Sequence, residues 1–558
     1  MMLNQRLPAV VLLASILAPS SGAQSTLRVS VASTGEEANG PSKQPSVSTS
    51  GSVVAFTSTA TNLVPADTNG VSDVFVHDAS TAQTFRVSVD SAGAEGNGVS
   101  EQPSISGDGR FVAFRSAADN LVPGDTNGLS DIFVHDLLTG TTERASVATN
   151  GDQLTAASSL PFLDEDGSSL AFVVGVSNLG QAGIYMRDRQ ALTTVPRLTR
   201  VAPESVTRPW LSANGNTLAA WGYKVIDFGA GGYVGYVTSS PTGPSGYYVF
   251  GGAAWDSPNT RSVAVSADAK FAVLQHDAPL SGSSTLQMNV YVRSLTTGSM
   301  ACESLTLTGD GAGASNGTLS GNGSLVAFES TSPYLIPTDT GGTRDIFVRD
   351  RIAGRTARVS GGNGALQSNG GSYNAMLAAG GGFIVFESDA SNLVSNDTNG
   401  MRDIFLVNLA LTELSLYAYC TAGTTVHGCV PSIAGVGSPS ATSTSGFDIV
   451  VSNVPGQRYG TMFYGFYPFA TPWAPGSLSY QCIAAPVQRF GVQDTGGVAG
   501  QCNGELHLDF NAWRAANPGA LGNPFVAGQV FHAQGWFRDP GAPKQTNLSD
   551  GLRFVLCD

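Results

Sequence analysis

Apolar residues recur along this chain in runs of four to six, set apart by glycine-bearing turns, and the runs return in a fixed order. "RVSVASTGEEANGPSKQPSVS" (28–48) aligns without gaps to "RVSVDSAGAEGNGVSEQPSIS" (86–106), an offset of 58 residues. Each such unit continues with a turn and an apolar strand: "SGSVVAFTS" (50–58), "DGRFVAFRS" (108–116), "DGSSLAFVV" (166–174), "NGNTLAAWG" (214–222), "DAKFAVLQH" (268–276), "NGSLVAFES" (322–330) and "GGGFIVFES" (380–388). A third run follows in each copy, among them "DVFVHD" (73–78), "DIFVHD" (131–136), "GIYMRD" (183–188), "DIFVRD" (345–350) and "DIFLVN" (403–408). A fourth alternates with period two: in Thr84–Val89 the pattern predicts Phe85, Val87 and Val89 on one face and Arg86 and Ser88 on the other.

Four short strands per unit, over seven consecutive units, predict an all-β chain: a seven-bladed β-propeller, with six blades as the alternative because the fourth copy matches the pattern least. The seventh copy has three runs and no fourth, whereas the repeats begin with an unaccompanied fourth-type run, Thr26–Val31. Pairing that run with Ser372–Asn408 would close the ring and hide its edge strands.

The turn, the "VAF" strand, "NLVPADTNG" (62–70) and "DIFVHD" together resemble the TolB-type, WD40-like propeller repeats of exported bacterial proteins over about residues 26–412. That resemblance implies the fold. On function it implies either an accessory propeller that binds proteins or a relative of propeller hydrolases and lyases.

The pattern changes near Leu416, and 558 residues suggest more than one domain. The expected division is a signal peptide at 1–23, a propeller at 24–414 and a C-terminal β-sandwich at 415–558. Arg6 followed by "AVVLLASILA" (9–18) and "SGA" (21–23) has the form of an export leader cut after Ala23. No later run is long and apolar enough to anchor the chain, so a periplasmic or extracellular protein without a transmembrane segment is expected, as a monomer. In the last quarter Phe447–Val454, Gly460–Phe466, Gly504–Phe510, Gln529–Phe537 and Gly551–Cys557 read as strands, and Asp509–Leu521 holds one short helix. "YCTAGTTVHGCVPSI", "GTMFYG", "DFNAW", "GWFRDPG" and "LSDGLRFVLC" resemble a C-terminal module of planctomycete exported proteins. Trp536 there reads as buried, and Arg538 with Asp539 as a turn pair.

Five of the six cysteines fall in this last quarter, where an oxidising compartment favours disulfides, and no spacing suits zinc. The expected pairs are Cys420–Cys429 and Cys482–Cys502, with Cys302 and Cys557 unassigned. A formal charge of −14 and a pI of about 4.8 argue against a nucleic-acid partner.

Candidate chemistry is sparse. "DTNGVSDVFVHD" and its copies put Asp67, Asn69 and Asp73, then Asp125, Asn127 and Asp131, then Asp339 and Asp345, then Asp397, Asn399 and Asp403, in loops of hard oxygen donors. Calcium takes such oxygens, but the spacing departs from an EF-hand, and Asn-Gly before a strand is also an ordinary tight turn. The turn is the preferred reading; a calcium-stabilised surface protein is the alternative, and no other cofactor is expected. "GASNG" (313–317) fits G-x-S-x-G but lacks the strand-to-helix setting of a nucleophile elbow. His77 and His135 repeat one position, which points to scaffold, while His276 stands outside the pattern. The aromatic fourth and fifth copies bring Trp221, Tyr223, Tyr233, Tyr236, Tyr247, Tyr248 and Trp255, residues suited to protein or glycan contact. A non-enzymatic binding protein or scaffold is the leading expectation, and a polysaccharide lyase or glycoside hydrolase working at the channel mouth is the alternative.

Overall fold

The structure is a computed structural model. It describes residues 26–556 except 200–205, 207, 226–230, 239–246, 250–262, 277–287, 337–338, 341, 353, 362–366, 410–415, 420–421, 476–478 and 527–528. The expected signal segment, Trp255, Cys420 and Cys557 lie outside the described residues.

Seven four-stranded antiparallel sheets follow one another along residues 26–408. Sheet one contains Ser42–Val47, Val53–Ser58, Asp73–Asp78 and Gln83–Arg86; sheet two repeats it with Ser100–Ile105, Phe111–Ser116, Asp131–Asp136 and Thr141–Arg144. Sheet seven is made of Ser372–Leu377, Phe383–Ser388, Asp403–Asn408 and, as its outer strand, Thr26–Arg28 from the other end of the repeats. Thr26, Leu27 and Arg28 register against Val407, Leu406 and Phe405.

Each second and third strand carries apolar residues on both faces, because each sheet packs between two others. Val54, Phe56 and Phe75 of sheet one join Val385, Ile404 and Leu406 of sheet seven, while Ala55, Val74 and Val76 join Val112 and Phe114 of sheet two. Directly paired phenylalanines stack in four of the sheets, Phe56 on Phe75 at 6.0 Å and Phe386 on Phe405 at 6.1 Å among them. Similar clusters join the remaining neighbours all the way round, so the arrangement is a β-propeller.

A collar of backbone hydrogen bonds runs round one end of the ring. Thr49 N donates to Gly107 O, Asp108 N to Glu165 O, Glu165 N to Ala213 O, Ala213 N to Ala267 O, Asp268 N to Gly321 O, Gly321 N to Ala379 O, and Gly380 N back to Thr49 O, at 2.8–3.1 Å. These turns would otherwise bury unsatisfied backbone groups; linked, they tie each sheet to the next.

The fourth strand departs from its expected faces. It ends at Arg86 in sheet one, Phe85 is 51% exposed, and Ser88 is fully buried with Val87. The polar residues turn inward because acids of the third strand and its loop receive them, as described below.

From Leu416 onward two sheets pack around one aromatic core. Leu416–Tyr419, Thr546–Val555, Val530–Arg538, Tyr459–Pro472 and Tyr480–Arg489, with Gln493–Asp494 paired to Tyr459–Pro472, form the larger, and Ser432–Gly437, Phe447–Val454 and Gly504–Asp509 the smaller. Phe447, Ile449 and Leu506 meet Tyr464, Phe531 and Phe554 between them. The helix is Phe510–Ala516, its first turn capped by the Asp509 carboxylate accepting from Ala512 N. The two parts of the chain touch through a buried ion pair, Arg553 Nε to Asp350 Oδ2 at 3.6 Å.

The expected cysteine pairs are corrected. Cys429 is bonded to Cys502, and Cys482 is also disulfide-bonded. Topology explains this. Ser432 pairs with Ser452, and Gly504 pairs with Val454, so Cys429 and Cys502 lie at one end of the smaller sheet. Cys482 lies in the larger sheet. Cys302 is a free thiol. The Arg538–Asp539 turn pair is not formed: Arg538 is exposed, while buried Asp539 accepts from Val426 N at 3.3 Å. Trp536 is half-buried.

Candidate functional site

The Asp/Asn loops are arranged around arginine. Asn69 Oδ1 accepts from Val71 N at 2.9 Å, and its Nδ2 donates to Asp73 Oδ2 and Gly96 O, both at 2.9 Å. Gly70 supplies the left-handed turn, with φ of 68°. The amide of Asn69 is thereby spent on the turn and its carboxylate neighbour. Oxygens of Asp67, Asp73 and Glu95 lie within 4.8 Å of one another, close enough to share a cation. Arg86 Nη1 stands 3.6 Å from both Asp67 and Asp73 and bonds to Glu95. Ser88 Oγ donates to the other Asp73 oxygen at 2.6 Å.

The same latch is built in three more sheets. Arg144 lies 3.0 Å from Asp125 and 3.6 Å from Asp131, and Asn127 Nδ2 donates to Asp131 at 2.8 Å. Arg358 lies 3.4 Å from Asp339 and 4.0 Å from Asp345; this copy lacks the asparagine, and Gln367 Nε2 donates to Asp345 instead, at 2.7 Å. Arg28 reaches Glu37 at 2.7 Å, Asp397 at 3.2 Å and Asp403 at 3.6 Å, with Asn399 Nδ2 donating to Asp403 at 3.0 Å. Burial, with repulsion from the neighbouring aspartate, pushes the Asp67 and Asp397 carboxyls up to about 6. Burial also works on Glu95, but hydrogen bonds from Thr68 and the Arg86 charge hold it below its ordinary value.

Sequence reading missed these latches, although the signal is plain in hindsight. The arginine opening each "RVSV"-type run stands nine residues before Glu37, Glu95, Gln153 or Gln367. The fifth copy, which has no acidic loop, carries Cys302 at the arginine position, Gly311 nine residues on, and Asn289 where the other copies have the aspartate. Arginine and acids are absent from it together.

The described aromatic candidates gather in the fourth sheet, whereas the histidines and Ser315 lie elsewhere. Trp221 and Tyr223 lie in the strand Leu218–Val225, opposite Gly235 and Tyr233. Tyr236 pairs with Ala220 and with Val249, Tyr247 with Thr238 and Tyr248 with Val237. His77 and His135 are equivalent and buried, Nδ1 sharing a hydrogen with Thr84 at 2.9 Å and with Thr142 at 2.8 Å. His276 is buried against Tyr291, ring centroids 6.3 Å apart. Ser315 of "GASNG" sits inside the innermost strand Ala314–Leu319, not on a strand-to-helix turn.

A cavity of about 350 Å³ occupies the ring's centre at the end opposite the collar. Its wall comes from one repeat position: Gln44, Gln102, Leu160, Asn316 and Asn374, all left-handed with φ of 51–58°, each at a register shift in the innermost strand. The bulge re-aims these side chains toward the axis. Gln102 N donates to Gln44 Oε1 at 3.0 Å, and Leu160 N to Gln102 Oε1 at 2.9 Å, so each sheet holds the next. On the far wall Asn316 Nδ2 and Asn374 N both donate to Glu329 Oε1 at 2.8 Å, and Arg344 pairs with the other oxygen at 2.9 Å. Glu387 is held likewise by Asn374 and by Arg402 at 3.1 Å. Trp210, tilted against Phe162 at 4.9 Å, is shared with the narrower space of about 70 Å³ at the collar end and floors the cavity with Met376.

No protein-family model matches the chain, and no curated protein matches it either. Among solved structures it is similar to the β-propeller domain of the Trilobed protease from Pyrococcus furiosus, at 12% identity and a TM-score of 0.43 over 66% of this chain and 95% of that one. An oligogalacturonate lyase in complex with manganese is similar at 13% identity and a TM-score of 0.44, over 70% and 94%. A TolB homologue from Agrobacterium tumefaciens is similar at 14% identity and a TM-score of 0.32, over 58% and 94%. The architecture rests on the sheets and hydrogen bonds described above, and no activity follows from these likenesses.

Proposed function

We propose that the chain is an exported, non-enzymatic binding protein: a closed seven-bladed propeller that receives a small ligand or the tip of a glycan or peptide in its central cavity. The C-terminal unit would tether it or add a second recognition surface. One observation carries this reading. Four carboxamides from four different sheets, Gln44, Gln102, Asn316 and Asn374, line one cavity over an aromatic floor, each with part of its hydrogen-bonding capacity unspent. Catalysis by a carboxylate pair is the weaker reading, because Glu329 and Glu387 are each engaged by an arginine and an asparagine. The arginine-centred latches serve the scaffold in this reading, and calcium is not needed for it.

Arrays of glycans and short peptides test the proposal. The mature protein is expected to capture a defined subset, and Gln44→Leu with Asn374→Leu is expected to abolish capture, with circular dichroism checking that the variant keeps its sheets. Turnover of any polysaccharide in the same panel would replace binding with catalysis. Export is checked separately, by recovering from periplasm or medium a chain that begins at Gln24.

A further inference from the structure

The same cavity contains a cation that pairs with no anion among the described residues. Arg208 lines it, and its Nη2 donates to Pro103 O at 2.5 Å. No carboxylate among the described residues pairs with this guanidinium, and its other N–H groups have no protein partner there. Every other cavity polar group is differently placed. Glu329 and Glu387 stand behind Asn316 and Asn374 and are already neutralised by Arg344 and Arg402. Arg208 is half-buried, so the rest of its guanidinium opens onto this volume, and no described carboxylate supplies its counter-charge.

The neighbours of Arg208 are also donors. Gln44 and Gln102 spend their carboxamide oxygens on backbone N–H groups of the next sheet, which leaves their NH₂ groups to the cavity. Asn316 and Asn374 do the reverse: their NH₂ groups go to Glu329 and Glu387, which leaves their carbonyl oxygens. The cavity is therefore polarised, with a guanidinium and two amide donors on one part of its wall and two amide acceptors on the other. A carboxylate meets the first set with charge-assisted hydrogen bonds, and hydroxyls can donate to the second.

We infer that the central cavity seats the carboxylate of a small polyhydroxylated acid on Arg208, with Gln44 and Gln102 completing the anion's hydrogen bonds and Asn316 and Asn374 accepting from its hydroxyls. This rests on reading the cavity as the ligand site and adds the chemistry of the ligand.

Calorimetric titration with gluconate, and with glucitol as its neutral counterpart of similar size, tests the inference on the full mature chain. Gluconate is expected to bind at least about tenfold tighter than glucitol, and Arg208→Met to erase that preference. Met is close to Arg in length and brings no charge, so the fold should survive it. If that variant fails to fold, the pH profile of the unaltered protein decides. Burial lowers the guanidinium pKa but leaves the group charged through neutral pH, so gluconate affinity should stay level from pH 6 to 8. Equal affinity for gluconate and glucitol, no gluconate binding at all, or a fall in affinity between pH 6 and 8 would each overturn the anion seat. Array capture that persists in Arg208→Met would leave the binding protein standing and remove only the anion. An array that captures nothing while gluconate still binds through Arg208 would do the opposite.

Discussion

Arg28 Nη1 lies 3.2 Å from Asp397 Oδ1, joining the first described strand to the loop of the last sheet. Both side chains are almost fully buried, and Glu37 and Asp403 share the same guanidinium. Removing the arginine leaves three acids in a low-dielectric setting with no counter-charge. Arg28→Met should therefore cost about 3–5 kcal/mol, the range for breaking a buried pair from one side. Arg86→Met breaks an equivalent latch but leaves the closing strand untouched. Urea unfolding should show both losses. Limited proteolysis should find early cleavage near Thr26–Arg28 in the first variant alone; equal protection there would separate latch from closure.

Calcium should change nothing in the unaltered protein. The cation position among Asp67, Asp73 and Glu95 is filled by Arg86. Melting temperature should agree within about 1 °C in chelator and in about 5 mM calcium chloride. Arg86→Ala vacates the position and leaves the three acids, so calcium should raise the melting temperature of that variant and not of its parent. A calcium response in the parent would restore the ion-binding reading of the loops.

Some of this was legible in the sequence for clear reasons. Runs such as "VVAFTS" and "DVFVHD" are apolar on both faces because their sheets are sandwiched, and Thr26–Val31 stood out as a fourth run without its three companions. Other features depend on topology. The alternation puts Arg86 opposite Phe85 and Val87 but does not reveal its acids, which come from a loop and from nine residues downstream. The cavity wall reads Gln, Gln, Leu, Arg at positions 44, 102, 160 and 208, which resembles drift in a repeat. Only the left-handed bulge, φ of 57° at Gln44 and 58° at Gln102, shows that the position faces the axis. Cysteine pairing was beyond reach for the same reason: proximity in sequence does not say which sheet a strand joins.

Cys429 and Cys502 enclose a separation of 73 residues. Closing a loop of that size restricts the unfolded chain, and losing it should cost about 2–5 kcal/mol. Cys429→Ser together with Cys502→Ser should lower the unfolding midpoint of the two-sheet unit and leave the repeats unchanged. Peptide mapping without reductant should find these two cysteines linked.

Acid should weaken the two-sheet unit through His532. Burial, with the Arg553 charge beside it, lowers this imidazole from 6.5 to about 3. The unfolded chain takes up a proton near 6.5 and the folded chain only near 3, so between those values unfolding binds a proton. Stability then falls as pH falls, by up to about 1.4 kcal/mol per pH unit for one site. Asp550 in the same unit works in the opposite direction. Burial raises it to about 6, so its contribution is complete below its unfolded value and is lost as pH rises through 6. Comparing His532→Gln with the unaltered protein cancels that background. The stability difference, unaltered minus variant, should decline steadily from pH 6.5 toward pH 4. The Arg553–Asp350 contact predicts one thing more. A proton forced onto His532 would stand beside a guanidinium that also bridges to the repeats, so acid should loosen the junction along with the unit. Cleavage between residues 409 and 416 should then rise on acidification in the unaltered protein and less in His532→Gln, and a pH-independent difference between the two proteins would remove His532 from the account.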